Sequence, residues 1–231
     1  MQITGAAAVL NAIQNEEDVK LVLVDRSKDC SNIISECNKR GIPVEEGSTN
    51  DLWRMSADGQ QDALALIGRE PKGSLEEIFK RDGAIWLFDG VEYATNLGFA
   101  IRTAEVSGAT AVIINVEKSH TDRRTIRRAG MRATRFIPVV YASNEEVLSR
   151  CNRRIIVAED IGEKGPWDSD LTGDVLLVVG AENEGVSSEI LEAADDVVKL
   201  PMLGFVPSYN LQVAVSALAI ERLRQCENMN G

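Results

Sequence analysis

The chain of 231 residues is long enough for one large or two small domains at roughly 150 residues each. With 44% hydrophobic and 26% charged residues it has the balance of a globular protein, which excludes a disordered, collagen-like or disulfide-scaffold chain. A formal net charge of -11 excludes a surface that grips polyanions everywhere, and four cysteines with one histidine leave few sets of zinc ligands, so no metal is expected.

The opening MQITGAAAVLNAIQNEED has no basic leader, and Asn11 interrupts its apolar stretch, so an amphipathic helix is expected in place of a signal peptide. No run reaches the ~20 apolar residues of a membrane span. Cys30, Cys37, Cys151 and Cys226 form no C-x-x-C pair and read as reduced thiols of a cytoplasmic protein. Apolar, β-rich runs at 21–24, 85–88, 111–116, 155–158, 175–179 and 197–200 alternate with helical stretches, the pattern of an α/β fold with a parallel sheet. Between them REPKGSLEEIFKRD is polar, with Pro71, Gly73 and a Ser74 to Glu77 capping box. The expected organisation is a small α/β domain over residues 1–68, a linker over 69–81 and a second domain over 82–231.

Charge reverses locally. Residues 118–154 hold ten basic side chains, Lys118, Arg123, Arg124, Arg127, Arg128, Arg132, Arg135, Arg150, Arg153 and Arg154, against three acidic ones, a local +7. A solvated helix face would account for such a run. Its sign in an acidic chain favours an anion-binding surface for nucleic acid or phosphate.

Three segments carry candidate chemistry. In LFDGVEYATNLGFAIRTAEVSGATAVII (87–114), Thr95 or Asn96 can cap a helix that Gly108 ends, with Leu97, Ile101 and Ala104 inward. Asn96 is then a cap and Arg102 a solvated residue, or both meet a phosphate at the first turns. In DVLLVVGAENEGVS (174–187), a strand enters a glycine-bracketed loop, the place where open α/β sheets bind ligands. Glu182 stands where a dinucleotide loop needs glycine, so the loop is either a solvated acidic turn or a site for hydroxyl or cationic groups. In VKLPMLGFVPSYNLQVAVSALAIERLR (198–224), Pro201, Gly204 and Pro207 force a loop, and only Gln212 and Ser216 are polar between Leu211 and Ile220. Such a helix is a central core helix or is covered by a second subunit.

N-L-G-x-x-x-R-T-A at 96–104, G-A-E-x-E-G at 180–185, and L-P-M-x-G with S-Y-N at 200–210 resemble the three ordered motifs of the SpoU, or TrmH-type, RNA ribose methyltransferases of the SPOUT superfamily. Residues 1–68 more loosely resemble the ribosomal-protein-like RNA-binding domain that precedes the catalytic domain in some members, with Gln60-Gln61-Asp62 in place of its closing H-Q-G. Glu92-Tyr93-Ala94 replaces a frequent Asp-Pro pair, Tyr209 a usual Leu and Gln212 a usual Ser.

The resemblance implies a catalytic domain with a trefoil knot, working as a homodimer in which one subunit's first motif completes the other's site. It implies S-adenosylmethionine held around Ala158, Gly180, Glu182, Asn183, Gly185, Leu200, Met202, Tyr209, Asn210 and Leu211. Asn96, Arg102, Glu182, Ser208 and Asn210 match the polar residues around the reacting ribose. Arg102 would clamp a phosphate and stabilise the developing alkoxide, since a guanidinium gives up a proton reluctantly. Arg123, Arg124, Arg127, Arg128 and Arg132 would meet the RNA. The implied substrate is ribosomal RNA ahead of tRNA, and the reading from another class is a non-catalytic RNA-binding dimer on the same fold.

Overall fold

The computed structural model describes residues 1–59, 62–115, 122–206 and 208–229. Gln60, Gln61, Val116, Lys118 and Pro207, all used above, lie outside the described residues. The chain divides into two units, Met1–Pro71 and Lys72–Gly231.

The first unit runs β1 (Gln2–Thr4), α1 (Ala6–Gln14), β2 (Val19–Asp25), α2 (Ser31–Arg40), β3 (Val44–Gly47), α3 (Thr49–Met55) and β4 (Ala63–Ile67). Its sheet has the order β1-β4-β2-β3, with β2 parallel to β3 and β4 antiparallel to both β1 and β2. Val9 and Ile13 of α1, Val22 and Val24 of β2, and Ile33 and Cys37 of α2 form its core. Burial pushes the thiols of Cys30 and Cys37 above their ordinary value, so both are poor nucleophiles at neutral pH. The opening segment is helical only from Ala6, because Gln2–Thr4 pairs with β4 as an edge strand.

The second unit runs α4 (Leu75–Phe79), β5 (Ala84–Asp89), α5 (Ala94–Val106), β6 (Ala111–Asn115), α6 (Arg123–Ala129), β7 (Val139–Ala142), α7 (Asn144–Arg150), β8 (Arg154–Ala158), β9 (Val175–Gly180), α8 (Ser188–Glu192), β10 (Asp196–Val198) and α9 (Leu211–Met229). The six strands are parallel throughout, in the order β10-β8-β9-β5-β6-β7. Every residue of β5 and β9 is buried, which is why these strands read as unbroken apolar runs. Trp86 and Phe88 pack with Leu97 and Ile101 of α5 and Val215 and Leu218 of α9, while Ile85 and Leu87 face Ile78 of α4, Val147 of α7 and Ile190 of α8. Each such side chain, fully buried, contributes roughly 1.5–3 kcal/mol.

Residues 72–81, expected in a linker, belong to this unit, since Ile78 and Phe79 are buried in its core and the Ser74 to Glu77 capping box forms as read. Arg153 is what fastens them. Its guanidinium donates to the carbonyl oxygens of Gly83 (2.6 Å), Arg81 (2.8 Å) and Phe79 (3.1 Å) and lies over the Phe79 ring. Arg154 donates to the carbonyls of Asp170 and Thr172, both at 2.8 Å. The two arginines that end the basic stretch are thus engaged within the unit.

Candidate functional site

The carboxyl ends of β8 and β9 and the segment after β10 surround a cavity of about 540 Å³, within the usual range for small-molecule sites. Ala158, Gly180, Glu182, Asn183, Gly185, Leu200, Met202, Ser208, Tyr209 and Leu211 all line it. These residues border one hollow although they span more than fifty positions; Asn210, read with them from the sequence, is not among its lining residues.

The loop after β9 is built by its glycines. Ala181 and Gly185 exchange backbone hydrogen bonds of 3.1 and 3.0 Å, which closes the loop on itself. A Cβ on Gly180 would collide with the backbone of Gly185, and Gly185 has φ +69°. Both glycines are required by this geometry. Glu159, next after β8, accepts from the Val186 N–H at 2.9 Å and joins the loop to the neighbouring strand.

Thr95 and Asn96, the two candidate caps, are the second and third residues of α5, because the helix starts at Ala94 after Tyr93, which makes no side-chain cap. The Asn96 side chain is free to reach across to Glu182, donating through Nδ2 to Oε1 at 2.5 Å. Asn96 Oδ1 accepts from Asn210 Nδ2 at 3.4 Å, and Asn210 Oδ1 caps α9 by accepting from the Gln212 N–H at 2.9 Å. The line of donors runs one way, from the first turn of α9 through two amides to a carboxylate. A charged acceptor at its end fixes both amide orientations. Tyr209 donates its hydroxyl to the Pro201 carbonyl at 2.8 Å and so closes the loop between β10 and α9.

Arg102 lies elsewhere. It is exposed two turns along α5 and lines a groove of about 290 Å³ with Phe99, Val106, Gln212, Ser216, Ile220 and Leu223. Of α9, Leu211, Val215, Leu218 and Ala219 are buried, whereas Val213, Ile220 and Leu223 are exposed. The helix is a core helix on one side only.

Arg123, Arg124, Arg127 and Arg128 are exposed on α6, which Asp122 caps by accepting from the Arg124 N–H at 2.8 Å. Arg123 also stacks over the Tyr141 ring, 4.8 Å from its centre, and Arg132 is half-buried at φ 62°. α6 packs directly on α5. A Cβ on Gly98 would stand 2.6 Å from the Ile126 carbonyl oxygen, and one on Gly130 would stand 2.7 Å from that of Gly98. The glycine of N-L-G is thus a helix-crossing residue, and it seats the arginine helix beside Asn96.

Asp89, Asn115, Asn144, Ser187 and Glu159 sit around this site without having been read from the sequence. Asp-Gly at a strand end was the one available signal. Among the described residues no group of His, Cys, Asp and Glu could hold a metal ion, and no helix is long and apolar enough to cross a membrane.

Comparison with known proteins places this arrangement. The SpoU rRNA Methylase family model matches residues 83–220. The chain is 30% identical over 247 residues, 96% of each protein, to the 23S rRNA (guanosine-2'-O-)-methyltransferase RlmB of Xanthomonas campestris pv. campestris. It shares its fold with the AdoMet-bound rRNA methyltransferase from Sinorhizobium meliloti, with a TM-score of 0.63 and 22% identity over 96% of this chain and 86% of that one. The SpoU methyltransferase AviRb from Streptomyces viridochromogenes gives a TM-score of 0.62 and 22% identity over 99% and 90%. The extent of these matches, with the three motifs lying inside the matched region, makes the chain a member of the SpoU rRNA methylase family.

Proposed function

We propose that the protein transfers a methyl group from S-adenosylmethionine to a ribose 2'-hydroxyl of large-subunit ribosomal RNA, at a guanosine as the name of its relative indicates. The observation that carries this reading is the line of hydrogen bonds from Asn210 through Asn96 to Glu182, which gathers polar groups of all three motifs beside one cavity.

The cavity suits the cofactor. Glu159, Asp160, Glu182 and Glu184 line it, a set that favours the cofactor's ammonium, sulfonium and ribose hydroxyls, and the loop of Gly180 and Gly185 leaves room for backbone contact. Gly180, Asn183, Leu200, Met202, Tyr209 and Leu211 would hold it. When bound, S-adenosylmethionine supplies an electrophilic methyl group. Ser208 and Asn210 orient the ribose hydroxyl, and Glu182 holds Asn96 in the orientation that accepts from Asn210. Arg102 clamps the adjoining phosphate and stabilises negative charge developing on the hydroxyl oxygen as the methyl group passes to it, the hydroxyl proton is lost to water, and S-adenosylhomocysteine leaves.

Arg102 lies on the α5 and α9 groove, whose exposed Phe99, Val106 and Ile220 are apolar, so we infer a homodimer in which this groove meets the partner's cavity. The same reading includes a trefoil knot at the carboxyl end, a separate RNA-binding role for the first unit as a domain of its own, RNA contact through Arg123, Arg124, Arg127, Arg128 and Arg132, and residence in the cytoplasm. The test is transfer of labelled methyl to ribosomal RNA from a strain lacking the gene. Label mapped to one guanosine ribose is expected, and absence of transfer would refute the reading. Sedimentation at micromolar concentration should give twice the 25.2 kDa mass of the chain.

A further inference from the structure

Asp89 ends β5 and is only 3% exposed, so its carboxylate has given up water and must be satisfied by protein donors. Three elements supply them. Asn115 Nδ2 at the end of β6 donates to Oδ1 at 2.8 Å, Asn144 Nδ2 at the start of α7 donates to Oδ1 at 2.9 Å, and the backbone N–H of Ser187, just before α8, donates to Oδ2 at 2.8 Å. Asn144 also donates to the Ser187 hydroxyl at 2.9 Å, and its own Oδ1 is buried with no hydrogen-bond partner. An amide that leaves its oxygen unpaired to keep both donors on Asp89 and Ser187 is oriented by the carboxylate.

The position of this cluster gives it a role. Asp89 pairs with Gly180 in the β5 and β9 ladder, so it lies beside the residue where the cofactor loop begins, and its side chain holds Ser187, where the loop ends. The loop between them carries Glu182, the acceptor for Asn96. We infer that Asp89, with Asn144, is a positioning residue that fixes both feet of the 180–187 loop and so sets the affinity for S-adenosylmethionine. This rests on the cofactor reading proposed above.

The substitution Asp89→Asn tests it. An amide of the same shape has one acceptor oxygen, so it can serve the two asparagines or Ser187 but not both. Ile78→Val is the control, a core truncation on α4 among the residues that precede β5. In the protein without cofactor, hydrogen exchange at the amides of Val186 and Ser187 should quicken at least tenfold in Asp89→Asn and not in the control. Titration with S-adenosylhomocysteine should show affinity weakened by about tenfold, as expected for loss of a hydrogen bond to a charged group. Turnover at saturating cofactor should fall much less than KM rises. If Asp89→Asn does not fold, Asn144→Ala removes one donor and should move both readouts in the same direction. Unchanged exchange and affinity in a folded variant would overturn the assignment. A parent protein that fails to bind the probe would instead refute the cofactor reading, and the exchange comparison would still decide whether Asp89 holds the loop.

Discussion

Gly98→Ala perturbs the site by a single methyl group placed where two helices touch. Its Cβ would lie 2.6 Å from the Ile126 carbonyl oxygen, 2.7 Å from the Ala129 Cβ and 2.9 Å from the Gly130 nitrogen. Two of the three are backbone atoms that no rotamer change can move aside. Ordinary contacts sit at about 3.5 Å or more, so α5 and α6 must separate by roughly 0.9 Å. Overpacking of this kind costs about 1–3 kcal/mol, and the better helix propensity of alanine returns about 1 kcal/mol. A net loss of about 1 kcal/mol lowers the melting temperature of a unit of this size by roughly 2–4 °C. The shift also carries Asn96, two residues away, off its 2.5 Å bond to Glu182, so methyl transfer should fall further than stability does. Ala129→Gly in the same chain removes one of the three contacts and should restore part of both. The assay is thermal unfolding alongside single-turnover methylation. A Gly98→Ala protein that melts at or above the parent temperature and keeps the parent rate would refute the helix-crossing role.

Arg102→Ala should cut turnover by about a hundredfold or more with cofactor affinity unchanged, and Arg102→Lys should recover little of it; single-turnover rates at saturating cofactor check this. Asn210→Ala should weaken both cofactor binding and turnover, because it removes the α9 cap and the donor to Asn96 together, as titration and rate measurements on one preparation would establish. Arg124→Glu with Arg128→Glu should weaken RNA binding and flatten its salt dependence while cofactor affinity holds, read from binding isotherms across a salt series. Tyr209→Phe keeps the ring and deletes the bond to Pro201; losing about 1 kcal/mol should weaken cofactor binding roughly fivefold, measured by calorimetry.

The parallel sheet of the second unit was legible because its strands are buried on both faces and carry little but apolar side chains. β7 was missed: it is four residues long and only Ala142 is fully buried, so no apolar run stands out. β3 was missed because Val44–Gly47 carries two glutamates in four residues, which leaves no apolar run. Of the site, the glycine-bracketed loop after β9 was readable from local pattern, whereas the other residues lining the cavity came only from the family resemblance. Asn96 was readable as a polar residue at a helix start, but its bond to Glu182, 86 positions away, was not. The arginine count misled at Arg153 and Arg154 for a similar reason. Arg153 is held by carbonyl oxygens, which every residue possesses and no composition reveals, and Arg154 by two more together with the Asp170 carboxylate, 16 positions away.

The stretch that the bond from the Tyr209 hydroxyl to the Pro201 carbonyl closes carries two tasks. Leu200, Met202, Ser208 and Leu211 belong to the cavity wall, whereas the side chains of Leu203 and Phe205 are wholly in solvent and Val206 is largely so. A change at 203, 205 or 206 disturbs no packing that the cavity depends on. Substitutions at these three positions should therefore leave the melting temperature of the chain unchanged, and any loss of activity they cause would report a surface that meets RNA or a second subunit.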